Sequence, residues 1–256
     1  MLNIQYSDSI KNQVILLTGG AQGIGFGIAQ EFAKMDTKII VSDINKKKLE
    51  SRIKNINVKK NSFIETIVLD VTDEDKVNTE IDMIMNKYGK IDLLINNAGL
   101  LAVSRTVDMQ LTEWEQVIQT NLTGVFIMSK AVAKHMIKNK YGSIISISSI
   151  GGKIGGEGIS HYCASKFGVI GFTQSLAMEL SKFNITVNAI CPGLVKTTMM
   201  KKLADDSGKS IKMFQNKQLI NSPQTPNDIA KSIMFLHSMR NITGQAINVD
   251  GGTVFH

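Results

Sequence analysis

Tyr162 and Lys166 stand four residues apart in a chain of 256. In a helix that spacing sets a phenol and an ammonium one turn apart on the same face. A free phenol titrates near pKa ~10 and is a poor base at neutral pH, but a cation within about 4 to 6 Å favours phenolate by roughly 1 to 3 units. The pair therefore predicts proton transfer near neutral pH. Upstream, Ser148 and Ser149 follow the alternating apolar run 143–147, which predicts a strand ending in a glycine-rich loop, with a hydroxyl facing the start of the helix. Taken alone, a Tyr-x-x-x-Lys pair is commonly a tyrosine packed on a lysine stem. The rest of the chain decides for chemistry.

The apolar run 14–17 closes at once in Thr18-Gly19-Gly20-Ala21-Gln22-Gly23-Ile24-Gly25, after which Ile24, Ile28, Ala29 and Phe32 keep helical spacing. This is strand, glycine turn and helix. Glycines permit the sharp turn and let backbone N–H groups approach a phosphate at the positive helix end. The next β-rich run, 38–42, ends in Asp43, eighteen residues after Gly25, the distance at which an acidic side chain binds a ribose 2′-hydroxyl. These features predict a bound dinucleotide. They also predict NAD (NADH) over NADP, because the Asp43 carboxylate repels a 2′-phosphate and Gln22 offers no cation to neutralise one. Lys46, Lys47 and Lys48 lie close enough in sequence to soften that choice.

The intervening elements must position these groups. Helices over 46–53 and 75–88 alternate with strands over 63–69 and 91–95, the first strand ending at Asp70 and the second closing in Asn96-Asn97-Ala98-Gly99. Such alternation predicts a parallel α/β sheet with right-handed crossovers and ligands beyond the carboxyl ends of the strands. Thr112-Glu113-Trp114-Glu115 reads as a capping box opening a long helix, with Val117, Ile118, Leu122, Val125, Phe126, Ser129 and Val132 as its apolar stripe. Trp114 is read as packing. Asn121 falls inside the stripe and is either a structural hydrogen-bonding group or the holder of a water. The helix carrying Tyr162 runs to about 181, and a sixth strand, 186–190, ends in Cys191-Pro192-Gly193. Residues 194–222 read as a loop with short helices, either a lid or an ordinary connection. Thr225-Pro226-Asn227-Asp228 starts a last helix to about 237, and 245–249 forms a seventh strand.

A length of 256 residues with 43% hydrophobic content suits one α/β domain spanning 1–256. The two cysteines, Cys163 and Cys191, read as buried free thiols, and the four histidines lack metal-ligand spacing, so no metal is expected. The net charge of +7 is spread over short lysine groups without interleaved aromatics, which argues against a nucleic-acid partner. No apolar run reaches 18 residues and the polar opening, 1–13, lacks the apolar core of a secretion signal, so a soluble, cytoplasmic protein without membrane association is expected.

Together these motifs resemble the short-chain dehydrogenase/reductase (SDR) family over nearly the whole chain. The resemblance implies a single-domain Rossmann fold, a doubly wound seven-stranded parallel sheet with helices on both faces. It places Gly19, Gln22, Gly23 and Ile24 near the ribose and pyrophosphate, Asp70 and Val71 at the adenine, and Asn97, Ala98 and Gly99 along the cofactor at a strand end. Asn121, Ser149, Tyr162 and Lys166 match the family's catalytic tetrad, Ser149 being preferred to Ser148 because it stands thirteen residues before the tyrosine. Pro192 and Gly193 match the cofactor loop, with Val195 and Thr197 reaching the nicotinamide carboxamide or phosphates. The resemblance further implies a homotetramer pairing the long helices that begin near Thr112 and Tyr162. CPGLVKT and the ending DGGTVFH are similar to acetoin/butanediol reductases and sorbitol-type polyol dehydrogenases. The reaction expected is reversible hydride transfer between a small secondary alcohol and its ketone, with a 3-oxoacyl-thioester reductase as one alternative and a non-catalytic dinucleotide-binding regulator as another. The substrate pocket is expected to draw on 100–103, 149–153, 155–158 and 194–222.

Overall fold

The computed structural model describes residues 10–256, so most of the polar opening segment, 1–9, lies outside the described residues. Seven parallel strands form the centre: β1 (Val14–Thr18), β2 (Lys38–Asp43), β3 (Phe63–Val68), β4 (Leu93–Asn96), β5 (Gly142–Ile147), β6 (Ile185–Pro192) and β7 (Ala246–Val249). Their order is β3-β2-β1-β4-β5-β6-β7. The chain winds outward one way from β1 and then the other way from β4, so the crevice lies where β1 and β4 part, at their carboxyl ends.

The sequence of β1 shows why both faces are covered. Side chains alternate across a strand, yet all five residues of β1 are buried. Ile15 and Leu17 join one apolar cluster with Ile28, Phe32, Ile229 and Ile233. Val14 and Leu16 join another with Val77, Ile81, Met128 and Val132. The first layer is built by α1 (Gly23–Phe32), α2 (Lys46–Ile53) and, later in the chain, a helix at Pro226–Ser238. Opposite them lie α3 (Glu74–Tyr88), α4 (Leu111–Ile118) and α5 (Gly124–Asn139), with α6 (Ser160–Leu180) after β5. Near-continuous apolar strands are what a sheet buried on both sides requires.

Two ends differ from the sequence expectation. The capping box at Thr112 does not form, because α4 starts at Leu111 behind Gln110, which makes no side-chain cap bond. Trp114 is 36% exposed and does not join the core. Between α4 and α5, residues Gln119–Thr123 form one wider π-helical turn, a distortion often found at functional sites.

Residues 194–222 contain α7 (Thr198–Ser207) and α8 (Ile211–Gln215), and Val195 pairs with Gln224 where the excursion leaves and returns. The final helix, α9 (Pro226–Ser238), has the expected proline start, completed by a reciprocal capping box between Thr225 and Asp228. It packs on α1 through Gly27, where an added Cβ would lie 2.1 Å from Pro226 Cβ. Gly27→Ala must therefore push the two helices apart. Overpacking costs about 1 to 3 kcal/mol, more than the ~1 kcal/mol that alanine gains in helix propensity. The urea midpoint should fall; an unchanged midpoint would show that α9 shifts freely. No described helix is long and apolar enough to cross a membrane.

Candidate active site

The glycine turn is shaped by a close approach. Gly19 has φ +67°, and a Cβ there would lie 2.7 Å from the Ala98 Cα. The Asn97 side chain clamps this contact, its Nδ2 donating to the carbonyls of Thr18 at 3.0 Å and Gly19 at 2.9 Å. Thr18 Oγ1 accepts the N–H groups of Asn97 and Ala98, both at 3.0 Å. Strands β1 and β4 are thus locked together where they part. The α1 N-terminus has no side-chain cap, Gln22 being extended and making no cap bond. Its first N–H groups remain for an outside acceptor, which fits the diphosphate of a dinucleotide. Gly23, at that turn, faces Thr197, whose methyl would lie 3.6 Å from an added Cβ; Ile24 packs against the core beneath.

At the neighbouring strand ends, Asp43 sends Oδ2 to the Ala21 N–H and Oδ1 to the Asn45 N–H, each at 2.9 Å. Asp70 holds Thr72 through its N–H at 2.9 Å and its hydroxyl at 2.7 Å. Val71 is buried and packs closely on Gly124. Across the switch point, Pro192 ends β6 and the Gly193 N–H donates to the Val249 carbonyl at 3.0 Å. Val195 is buried at the base of the 194–222 excursion, and Thr197 Oγ1 caps α7 by accepting the Met200 N–H at 3.3 Å.

Ser149 lies two residues beyond β5 in extended backbone, and its Oγ accepts the Gly151 N–H at 3.0 Å. It also hydrogen-bonds the Tyr162 phenol from the first turn of α6. Tyr162 is half-buried, and burial pushes its phenol above the ordinary value, with the Ser149 hydrogen bond pulling the other way. Lys166 Nζ lies 5.7 Å from the centre of the Tyr162 ring. Its ammonium donates to the Ile147 carbonyl at 2.8 Å. Burial lowers the Lys166 pKa to about 8, against a small opposing pull from Cys191. Lys166 directs its ammonium to the Ile147 carbonyl and does not lower the phenol in this arrangement; burial raises it, and the phenol stays protonated at neutral pH.

Asn121, fully buried in the π-helical turn, accepts the Leu100 N–H at 2.8 Å and donates to the Leu100 carbonyl at 2.9 Å and the Ser165 hydroxyl at 3.1 Å. A Cβ on Gly99 would sit 3.2 Å from Asn121 Oδ1 and 3.6 Å from Lys166 Nζ, so the Gly99 backbone runs between the amide and the ammonium. Asn121→Leu should strand both backbone groups of Leu100 and destabilise the chain by about 1 to 3 kcal/mol, read from urea unfolding. Loss of turnover with unchanged stability would instead favour the water-holding alternative.

Several positioning groups escaped the sequence reading. Ser148 Oγ donates to the Lys166 carbonyl at 2.9 Å, holding the helix that Ser149 serves from the next position; both serines are used, on opposite sides of the strand end. Thr18 was legible only as the first residue of the glycine turn, and Ser165 gave no signal of its own. Cys163 and Cys191 are buried free thiols. Among the described residues no cluster of three or more His, Cys, Asp or Glu side chains is placed to hold a metal.

The sequence pattern described as short chain dehydrogenase matches residues 13–208. The chain is 38% identical over 247 residues to a 3-oxoacyl-[acyl-carrier-protein] reductase (FabG) of Thermotoga maritima, covering 96% of this chain and 99% of the relative. It is 39% identical over 252 residues to the enzyme of the same name from Buchnera aphidicola, covering 95% and 98%. Among solved structures, gox2181 superposes with a TM-score of 0.90 at 26% identity, over 97% of this chain and 99% of that one. ElxO with NADP bound gives a TM-score of 0.87 at 34% identity, over 94% and 98%, and a tyrosine-to-phenylalanine form of ElxO with NADPH matches equally.

Two expectations are corrected here. The relatives carry 3-oxoacyl reductase names, so they do not support the similarity to acetoin and polyol dehydrogenases drawn from CPGLVKT and DGGTVFH; motifs this short do not define a substrate pocket. The expected preference for NAD over NADP is overturned by the similar structures of ElxO, which hold NADP and NADPH. The physical reason lies at Asp43, whose two oxygens are committed to the N–H groups of Ala21 and Asn45. It braces the glycine turn, and the backbone N–H groups it accepts there offset part of its negative charge and so weaken its repulsion of a phosphate. With a family pattern over most of its length and relatives of this identity aligned nearly end to end, the chain belongs to the short-chain dehydrogenase family and is an oxidoreductase acting on CH–OH groups.

Proposed function

We propose that the protein is an NADPH-dependent reductase of 3-oxoacyl thioesters, with Tyr162 as proton donor. The observation that carries this reading is the end-to-end similarity to 3-oxoacyl-[acyl-carrier-protein] reductases. The phenol, held protonated by burial beside the Ser149 hydroxyl, favours reduction, in which a ketone oxygen must receive a proton.

The residues at the strand ends fit a dinucleotide. The uncapped start of α1 at Gly23 and Ile24 would hold its diphosphate, Asp70 and Val71 would border the adenine, and Pro192, Gly193, Val195 and Thr197 would border the nicotinamide. The bound cofactor supplies the hydride. Ser149 hydrogen-bonds the ketone oxygen, and Tyr162 gives that oxygen its proton. Lys166 keeps a positive charge beside the phenol, fixed in place by the Ile147 carbonyl. Asn121 holds Leu100, and with it the backbone on which Gly99 passes the ammonium. The 194–222 segment covers the acyl chain. A homotetramer built on α4, α5 and α6 is supported by their exposed aromatic faces, with Phe126 43% and Phe167 47% exposed.

Because the Lys166 pKa is about 8, below the ordinary lysine value of 10.5, the ammonium is lost at a lower pH than in free lysine. Reductive kcat/KM should hold level at neutral pH and fall as pH rises through about 8. A profile flat well into the alkaline range would remove Lys166 from the proton-transfer step. The function itself is tested by NADPH oxidation against 3-oxoacyl thioesters, hydroxyketones, diketones and polyol-derived ketoses. The thioesters should be turned over with the highest kcat/KM; preference for a hydroxyketone or ketose would sink the substrate assignment.

A further inference from the structure

The 194–222 excursion leaves the sheet and returns to it at one root. There Val195 pairs with Gln224, the Lys196 N–H donates to the Gln224 carbonyl at 3.0 Å, and the Gln224 N–H donates to the Leu194 carbonyl at 2.9 Å. Beyond the root, the hydrogen bonds made by 198–217 among the described residues run to near neighbours along the chain, with one exception. Lys209 Nζ donates to the Glu157 carboxylate at 2.8 Å across 52 residues of chain. Lys209 stands just past the capped end of α7, where its N–H folds back onto the Ala204 carbonyl at 3.1 Å. Glu157 stands between Gly156 and Gly158 in the turn that leads into α6 and Tyr162.

That turn is packed closely onto its surroundings. The Gly158 carbonyl accepts the Ser104 N–H at 2.8 Å, and a Cβ added to Gly156 would lie 2.6 Å from Ile159 Cδ1 and 3.8 Å from Cys163 Sγ. The turn follows β5 and the excursion follows β6, so the ion pair bridges two loops at the carboxyl ends of the strands, where ligands of this fold bind. Met200 and Ala204 bury the inner side of α7; the ion pair adds a direction to that apolar contact. Its side chains are 85% exposed at Glu157 and 37% at Lys209. A pair this exposed adds little to global stability, and it breaks easily enough for a segment that must open in every turnover.

We propose that Glu157 and Lys209 are positioning residues for substrate binding, their ion pair latching the end of α7 to the turn before Tyr162 and so holding the excursion closed over a bound ketone. The proposal rests on the reading that this excursion covers the substrate. Neither side chain touches the reacting atoms. The latch acts on how tightly substrate is held, and the proton transfer from Tyr162 proceeds without it.

The test compares wild type with Glu157→Gln, Lys209→Gln and the reversed pair, Glu157→Lys combined with Lys209→Glu. Steady-state kinetics are measured with NADPH and a 3-oxobutyryl thioester, and amide hydrogen exchange is followed over 198–217. Each single substitution should raise KM by about twofold to fivefold, the range for an exposed ion pair, leave kcat little changed, and speed exchange in 198–217. The reversed pair should return both readouts to wild type. Single substitutions that leave KM and exchange at wild-type values overturn the latch while the substrate reading survives. Faster exchange with unchanged KM also overturns it, since the pair would then be structural, and so does a reversed pair that behaves like the single variants. If the thioester is not reduced but KM for another ketone and the exchange respond as expected, the latch stands and the thioester reading falls.

Discussion

Tyr162→Phe is expected to lower kcat for ketone reduction by about 10² to 10⁴-fold, the range for losing a general acid, with cofactor affinity and the unfolding midpoint essentially retained. The substitution removes one oxygen. Ser149 keeps its bond from the Gly151 N–H, and Lys166 keeps its Ile147 carbonyl, so neither neighbour is released by the loss. The ring still packs beside Gly151, where an added Cβ would lie 3.3 Å from Tyr162 Cε1. The discriminating readout is kcat set against the NADPH dissociation constant. A large drop in affinity with kcat preserved would make Tyr162 a binding residue and move the proton donor elsewhere.

Lys166→Met carries the second large effect, an expected loss of about 10²-fold or more in reductive kcat/KM, with disappearance of the break near pH 8. Methionine keeps the unbranched stem, one atom shorter, but leaves the Ile147 carbonyl without its donor. Stability gives an independent signature. The folded pKa of about 8 lies below the ordinary 10.5, so between those values the unfolded chain binds more protons than the folded one and wild-type stability rises with pH. That rise should vanish in Lys166→Met, whose uncharged side chain no longer carries the cost of burying an ammonium. An unchanged pH profile in both activity and stability would contradict the assignment.

Much of this was legible in the sequence for identifiable reasons. Strand β1 was readable because its apolar run is followed directly by glycines that only a sharp turn requires, and α9 because Thr225, Pro226 and Asp228 supply a cap, a first-turn proline and a capping acid in their proper places. Tyr162 and Lys166 were readable because helical spacing brings them to one face, whereas the strand end offered both Ser148 and Ser149 and only the family resemblance chose between them. What escaped depends on where a polar atom finds its partner. Asn121 could be placed in an apolar stripe, yet only the fold shows it saturated by Leu100 and Ser165. The π-helical turn that carries it leaves no mark on an apolar periodicity. Asp43 was misjudged for the same reason: eighteen residues of spacing put it beside the ribose, but the spacing is silent on the two backbone N–H groups that occupy its oxygens. Thr112 shows the local version of that limit, since its capping pattern with Glu115 lost to a helix that begins two residues earlier, capped at Gln110.

The most direct measurement is a turnover of purified protein with NADPH and a 3-oxobutyryl group carried as a thioester on acyl carrier protein, the product identified by mass spectrometry. The account predicts consumption of NADPH in step with formation of the 3-hydroxybutyryl thioester, and no such product from Tyr162→Phe within the same interval. A wild-type protein that leaves the 3-oxobutyryl thioester unreduced, while oxidising NADPH with a small hydroxyketone or ketose, would contradict it.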